Sequence, residues 1–309
     1  MEIKLINKEN FYTCLDMMVD LFNDIFKIKV DRDYFIWRYI NNPIGDLLMV
    51  VAMDEGNIVS SYSALPIYLQ YHDYHYKSAL SIHTMTHIDY RGKGLFERTG
   101  IMFYEQLRKK GYKMLIGFPN SSVHPALNKK LQRIDIYEFP TMSLKIDKSE
   151  YEDIGIEFDD GFLLDYDQIQ RDKNKISVKK DVRYLRWRYS QCPSTKYRNI
   201  VIRENESVKA YFILKQYDKK VNIVDYFVNS QNDVDVLINH AKTYAHNQKA
   251  DYVTTWANIN TDLKLILEKE GFSHSLPITY FSGKILDDDC PLNYHINDWH
   301  IVMGDDNVY

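Results

Sequence analysis

The ten residues from Tyr34, YFIWRYINNP, return at Tyr184 as YLRWRYSQCP. Tyr34, Trp37, Arg38, Tyr39 and Pro43 match Tyr184, Trp187, Arg188, Tyr189 and Pro193 at a constant offset of 150. The chain has only four tryptophans, so chance is a poor account of the match. Two more anchors follow in the same order. KMLIGFPN closes on Asn120 and DYVTTWAN on Asn258; FPTMSLKI, with Pro140, then corresponds to LPITYFSGKI, with Pro277. The offset shortens to 138 and then 137, as trimmed loops would produce. A chain that contains itself twice folds as two copies of one unit. The copies are expected at 1–146 and 147–309, joined through DKSEYEDIGIEFDD, an acidic and largely unpatterned stretch.

Within the first copy the patterning alternates between two periods. EIKLI and LLMVVAM read as strands, while Leu15, Met18, Val19 and Phe22 form a helical stripe. DEGN between LLMVVAM and IVSSYSALPIYLQY has the residues of a hairpin turn. SALSIHTMTHI is a further strand, LFERTGIMFYEQLRKK a helix stopped by Gly111, KMLIGF a fully apolar strand and HPALNKKL a short helix. The order predicts an α/β fold: two domains in tandem, each a mixed, largely antiparallel sheet flanked by helices.

Composition narrows the class. A hydrophobic fraction of 45% over 309 residues supports a sizeable core. A net charge of −4 and a pI near 6.2 supply no field to attract nucleic acid or an anionic membrane. No apolar run approaches the roughly 20 residues needed to cross a bilayer. MEIKLINKEN lacks a basic-then-apolar leader, and Cys14, Cys192 and Cys290 lie too far apart for a disulfide framework or zinc ribbon. A cytoplasmic protein is expected, with no signal for any oligomeric state. His83 and His87, about 13 Å apart along a strand, cannot share one ion, so no metal site is expected.

The stretch that carries chemistry is DYRGKGLFERTG, residues 89–100. It follows a strand and opens a helix. Gly92 and Gly94 let the backbone turn sharply and bring its N–H groups near a ligand, the helix N-terminus adds partial positive charge, and Arg91 and Lys93 add full charges. The alternative is a plain strand-to-helix turn. GxxxxGK[ST] is absent, and no GxGxxG follows a parallel strand.

This segment resembles the motif of the GCN5-related N-acetyltransferases (GNAT) whose loop holds the pyrophosphate of acetyl-CoA. Asp89 departs from the family's Gln/Arg at the first position, while Arg91-Gly92-Lys93-Gly94 is similar to a common form of the rest. The resemblance spans residues 1–146. It implies that Arg91, Gly92, Lys93, Gly94 and the helix-opening Leu95 and Phe96 hold the coenzyme. It also implies that backbone N–H groups near Met85 and Thr86 polarise the thioester carbonyl, and that Asn120 meets the pantetheine arm, if it is not simply a cap. Strand alternation puts Ser81, His83, Met85 and His87 on one face. His83, eight residues before Arg91, lies where many members carry an acidic base, and a neutral imidazole suits that role near pH 7; the other reading is a buried structural histidine. The tyrosine that often protonates the leaving thiolate falls on Leu127 or Asn128, leaving His124 and Ser122 as substitutes.

In the second copy VDYFVNSQNDVDVLINHA has neither the glycine pair nor a basic residue, and Asp233 and Asp235 place negative charge at its helix start. That copy is expected to be degenerate. The resemblance implies an acetyl-CoA-dependent N-acyltransferase acting on a small amine, such as an amino sugar or an aminoglycoside-like compound. Two alternatives stand beside it: a Fem-type aminoacyl-tRNA-dependent transferase, and a non-catalytic acyl-CoA sensor or partner module.

Overall fold

The computed structural model describes residues 1–147, 157–258 and 261–309, so most of the acidic 147–160 stretch lies outside the described residues. Contacts divide the chain into two compact units. The first comprises Met1–Ile136, Cys192–Ser194 and Tyr280–Tyr294. Its sheet begins with β1 (Glu2–Ile6), β2 (Leu48–Asp54), β3 (Asn57–Tyr71) and β4 (Tyr74–Thr86), each antiparallel to its predecessor; β5 (Met114–Gly117) then joins β4 in parallel. Four helices accompany it: α1 (Lys8–Phe26), α2 (Arg32–Tyr39), α3 (Leu95–Lys109) and α4 (His124–Leu131). The Asn7 and Asn10 side chains cap α1 reciprocally, and Asp31 caps α2. Phe103, Tyr104 and Leu107 of α3 meet Ala64, Ala79 and Leu115 of the sheet.

The second unit comprises Tyr137–Gln191, Thr195–Thr279 and His295–Tyr309. Strand β6 (Ile134–Lys145) enters it and is followed by β7 (Ser177–Val178). Helix α5 (Val182–Leu185) then runs into one π-turn at Arg186–Ser190. Strands β8 (Tyr197–Glu204), β9 (Ser207–Tyr217) and β10 (Lys220–Phe227) are successively antiparallel, α6 (Gln231–Asn247) crosses, and β11 (Tyr252–Thr255) pairs in parallel with β10. Helix α7 (Asp262–Lys269) and β12 (Ser273–Ile285) complete the order. The two units thus repeat one mixed α/β plan.

The last strands are exchanged. Ser282–Ile285 of β12 pair with β5 in the first unit, and Met142–Lys145 of β6 pair with β11 in the second. Contacts therefore do not divide at 146/147. The open edges of β5 and β11 each require a partner. FPTMSLKI and LPITYFSGKI have the same pattern, so sequence periodicity does not say which strand serves which edge.

Both units carry a bulge in the strand before the crossing helix. In β4 the register slips between Ser61↔Met85 and Ser63↔Ile82, and His83 takes a left-handed φ of 45°. In β10 the slip falls between Ile223 and Asp225. The bulge corrects strict alternation. Ala79 packs among α3 residues, whereas His83 lies against Phe22, Tyr34, Phe35 and Tyr39 of α1 and α2. One extra residue has moved His83 to the opposite face.

The recurrent tyrosine braces each bulge. Tyr39 Oη lies 2.8 Å from both His83 Nδ1 and Ser63 Oγ, and Tyr189 Oη donates to Asp225 Oδ2 at 2.8 Å. Trp37 and Trp187 are buried, as core residues of the motif should be. Around Asp225 the second unit buries charge: Lys180 Nζ is 2.8 Å from Asp225 and 2.8 Å from Asp305. Although burial opposes it, the neighbouring Lys180 and Arg171 keep Asp225 below the ordinary carboxylate range. Burial, with Asp225 nearby, pushes Asp305 up. His300 is depressed to about 3 by burial and by cationic Arg171 and Lys180.

Two outcomes follow for stability. Tyr39→Phe and Tyr189→Phe should each cost about 1–3 kcal/mol in urea unfolding, because each leaves a buried polar partner short of a hydrogen bond. His300 is neutral in the fold, while the unfolded imidazole takes a proton near its ordinary value of about 6.5. Its contribution is therefore complete above that pH and is lost as acid approaches pH 3, by about 2 kcal/mol between pH 7 and pH 5. A His300→Gln variant should flatten the acid limb of the stability profile by that amount.

Candidate active site

Strand β4 pairs with β5 only from Ser78 to Leu80 and then runs on to Thr86. Beyond Leu80 its edge away from β3 has no strand beside it in this unit. Met85 and Thr86 lie on that segment. On the other edge Ser60 Oγ donates to Met85 O at 2.8 Å and lies 2.9 Å from Thr86 Oγ1.

A short 3-10 turn at Ile88–Tyr90 then leads into the glycine loop. Gly92 and Gly94 have φ of 77° and 70°, and nothing lies within 4 Å of a Cβ added to either. Backbone conformation, not space, is what requires glycine there. Gly94 is the N-cap of α3, and no side chain caps the helix. The first-turn N–H groups, from Leu95 onward, are thus left for another acceptor. The Leu95 side chain is buried and Phe96 packs near Tyr62, so both offer their backbone only. Arg91 Nε donates to Thr86 O at 3.3 Å, and Lys93 Nζ lies 4.4 Å from the centre of the Tyr90 ring. Tyr90 in turn donates to Asp54 at 3.0 Å.

The second unit differs at the same place. Ser230 accepts the N–H of Asp233, and the Ser230 hydroxyl donates to the Asp233 carboxylate at 2.7 Å. The amino end of α6 is closed by its own residues.

At the end of β5, Asn120 Oδ1 accepts the N–H groups of Ser122 and Val123 at 3.0 and 3.1 Å, leading into α4. Its exposed amide nitrogen has no partner among the described residues. Ser122 is exposed. His124 opens α4 with Nε2 2.8 Å from Asp135 Oδ1, and Asn128 donates to Asp135 Oδ2 at 3.0 Å. The imidazole stacks on Tyr280 at 4.0 Å and 9°.

His83 sits apart from that cluster, buried beneath α2, with Tyr34 Oη 3.4 Å from Nε2 as well as Tyr39 at Nδ1. His87 instead accepts the Asp89 N–H at 3.3 Å. Among the described residues no group of histidine, cysteine and carboxylates could hold a metal. No described helix is long and apolar enough to cross a membrane.

Tyr34, Tyr39, Asp135 and Tyr280 had no part in the site as read from sequence. The tyrosines carried a signal, since both recur with the motif. Tyr280 carried none, because it arrives on the exchanged strand.

Residues 3–128 match the family model for the acetyltransferase (GNAT) domain. No curated protein matches the chain. The fold is similar to that of a conserved protein of unknown function from Enterococcus faecalis V583, with a TM-score of 0.70 and 15% identity over 92% of this chain and 72% of that one. A GCN5-related N-acetyltransferase from Anabaena variabilis ATCC 29413 gives a TM-score of 0.67 and 12% identity over 93% and 73%. Saccharomyces cerevisiae N-myristoyltransferase with bound myristoyl-CoA gives 0.62 and 11% over 91% and 78%. Over residues 3–128 the chain is thus similar to the GNAT acetyltransferase domain, and its fold is similar to those of these proteins.

Proposed function

We propose that this chain transfers an acetyl group from acetyl-CoA to a small amine, such as an amino sugar or aminoglycoside-like compound, with the chemistry in the first unit. The observation that supports it most is the uncapped N-terminus of α3, opened by two glycines at positive φ shortly after a strand edge that no described strand of the unit pairs. In this reading the coenzyme's diphosphate takes the N–H groups from Gly92 to Phe96, with Arg91 and Lys93 beside it. The free edge at Met85 and Thr86 donates to the carbonyl oxygen as charge builds there. Asn120 offers its amide N–H to the pantetheine arm while its oxygen holds the turn.

For proton transfer we assign His83 as the base. Its Nε2 faces the Tyr34 hydroxyl, so a proton taken from the amine passes through that hydroxyl rather than directly to the ring. His124, held by Asp135, is assigned to protonate the departing thiolate, with the exposed Ser122 beside it. The second unit, with its self-capped helix, is assigned no coenzyme in this mode.

Isothermal titration of coenzyme A tests the cradle. Wild-type protein should bind it, Arg91→Ala should weaken binding about tenfold, and Gly94→Asp should lose it by about a hundredfold or more, since it adds both left-handed strain and negative charge. Wild-type protein that binds no coenzyme A would refute the proposal. Thiol release with a panel of amines then tests turnover. His83→Gln and Tyr34→Phe should lower kcat by about 100-fold and remove the alkaline-favouring limb of its pH profile, with KM for acetyl-CoA unchanged. An unaltered profile in both variants would leave the base elsewhere.

A further inference from the structure

The second unit holds a cavity of about 440 Å³ that the transfer chemistry does not use. It opens at the carboxyl end of β10, past Asn222, the last residue paired with β11. Tyr226 and Phe227 of β10, Leu263 of α7, and Arg171, Ser177 and His300 line it. The first unit places its free strand edge at the same point of the fold. What differs is the neighbourhood: with α6 capped by Ser230 and Asp233, and Lys209 3.4 Å from Asp233, a diphosphate has no seat.

The donors in this cavity point to an anion of modest size. Arg171 is held at one nitrogen by the Tyr211 hydroxyl, with its guanidinium 5.9 and 5.7 Å from the Tyr211 and Phe227 ring centres. One bond leaves most of its fork of N–H donors for a ligand. The nearby carboxylates Asp225 and Asp305 are already engaged, each 2.8 Å from Lys180 Nζ. Ser177 is 4% exposed, and its Oγ has no hydrogen-bond partner among the described residues. A buried hydroxyl without a partner is costly, and a ligand atom would relieve it. His300 stays neutral and packs edge-on to Tyr226 at 5.5 Å. No described group hydrogen-bonds its ring, so it can donate to the same ligand. Asp172, exposed at the mouth, sets one negative charge against any dianion.

We propose that this cavity is a second small-molecule site, specific for a small organic monocarboxylate whose carboxylate meets Arg171 and Ser177 and whose apolar part lies against Tyr226, Phe227 and Leu263. Nothing in this site depends on the acetyl-transfer reading. Occupied, it satisfies the Ser177 hydroxyl and the free guanidinium donors with one group.

Calorimetric titration of phenylacetate into the full chain tests this, with phenylacetamide and inorganic phosphate as comparison probes. Saturable phenylacetate binding is expected, at least about tenfold tighter than the amide, which lacks the charge Arg171 recognises. Phosphate should bind no better than the amide. Leu263→Trp, which fills the cavity without touching its charges, should abolish binding, and Arg171→Gln should weaken it about tenfold. Gly94→Asp should leave it unchanged, separating this site from the coenzyme loop. Should Arg171→Gln fail to fold, Leu263→Trp and the amide comparison still decide. Phenylacetate that does not saturate, an amide that binds equally well, tighter phosphate, or indifference to Leu263→Trp would each overturn the proposal.

Discussion

A tyrosine hydroxyl resting on a bulged strand is the interaction on which the rest of each unit depends. A bulge leaves one residue unpaired and bends its strand, a conformation that must be held by its surroundings. Tyr39 does this for His83 and Tyr189 for Asp225, each from the helix that carries the repeated WRY motif. In the first unit the bend lies just beyond the last β4–β5 pair, where the strand edge loses its neighbour. The free edge, the turn after it and the uncapped helix therefore come as one construction.

The units share this scaffold and diverge in what they set on it. The first has an aromatic-packed imidazole at the bulge and an open helix N-terminus fronted by glycine. The second has a buried carboxylate balanced by Lys180, and a helix that caps itself. Electrostatics follows from these choices: open N–H groups favour an anion at α3, while Ser230 and Asp233 have already supplied one at α6. The brace is common to both units, and the differences lie at the ends of the strands.

Much of the first unit could be read from local pattern. The α1 stripe, the hairpin, the α3 helix ending near Gly111 and the loop from Arg91 to Gly94 all depend on neighbours in sequence, and local rules reach that far. His83 shows where they stop. Strict alternation put it on the face of Ser81 and Met85, and a single inserted residue moved it to the other side; no propensity marks a bulge at a histidine. Asn120 was legible as a turn cap, and its oxygen does hold the turn into α4.

By itself the sequence showed that one segment recurs, where most helices and strands of the first copy lie, and that the glycine-fronted helix start has no counterpart in the second. These are properties of recurrence, periodicity and backbone freedom, which short stretches carry intact. Only the tertiary structure decided which closing strand completes which sheet, that Tyr280 stacks on His124, and that Arg171, Ser177 and His300 surround one cavity. Those outcomes join residues more than a hundred positions apart, and nothing short of the packed chain makes one of several equally patterned partners the nearest.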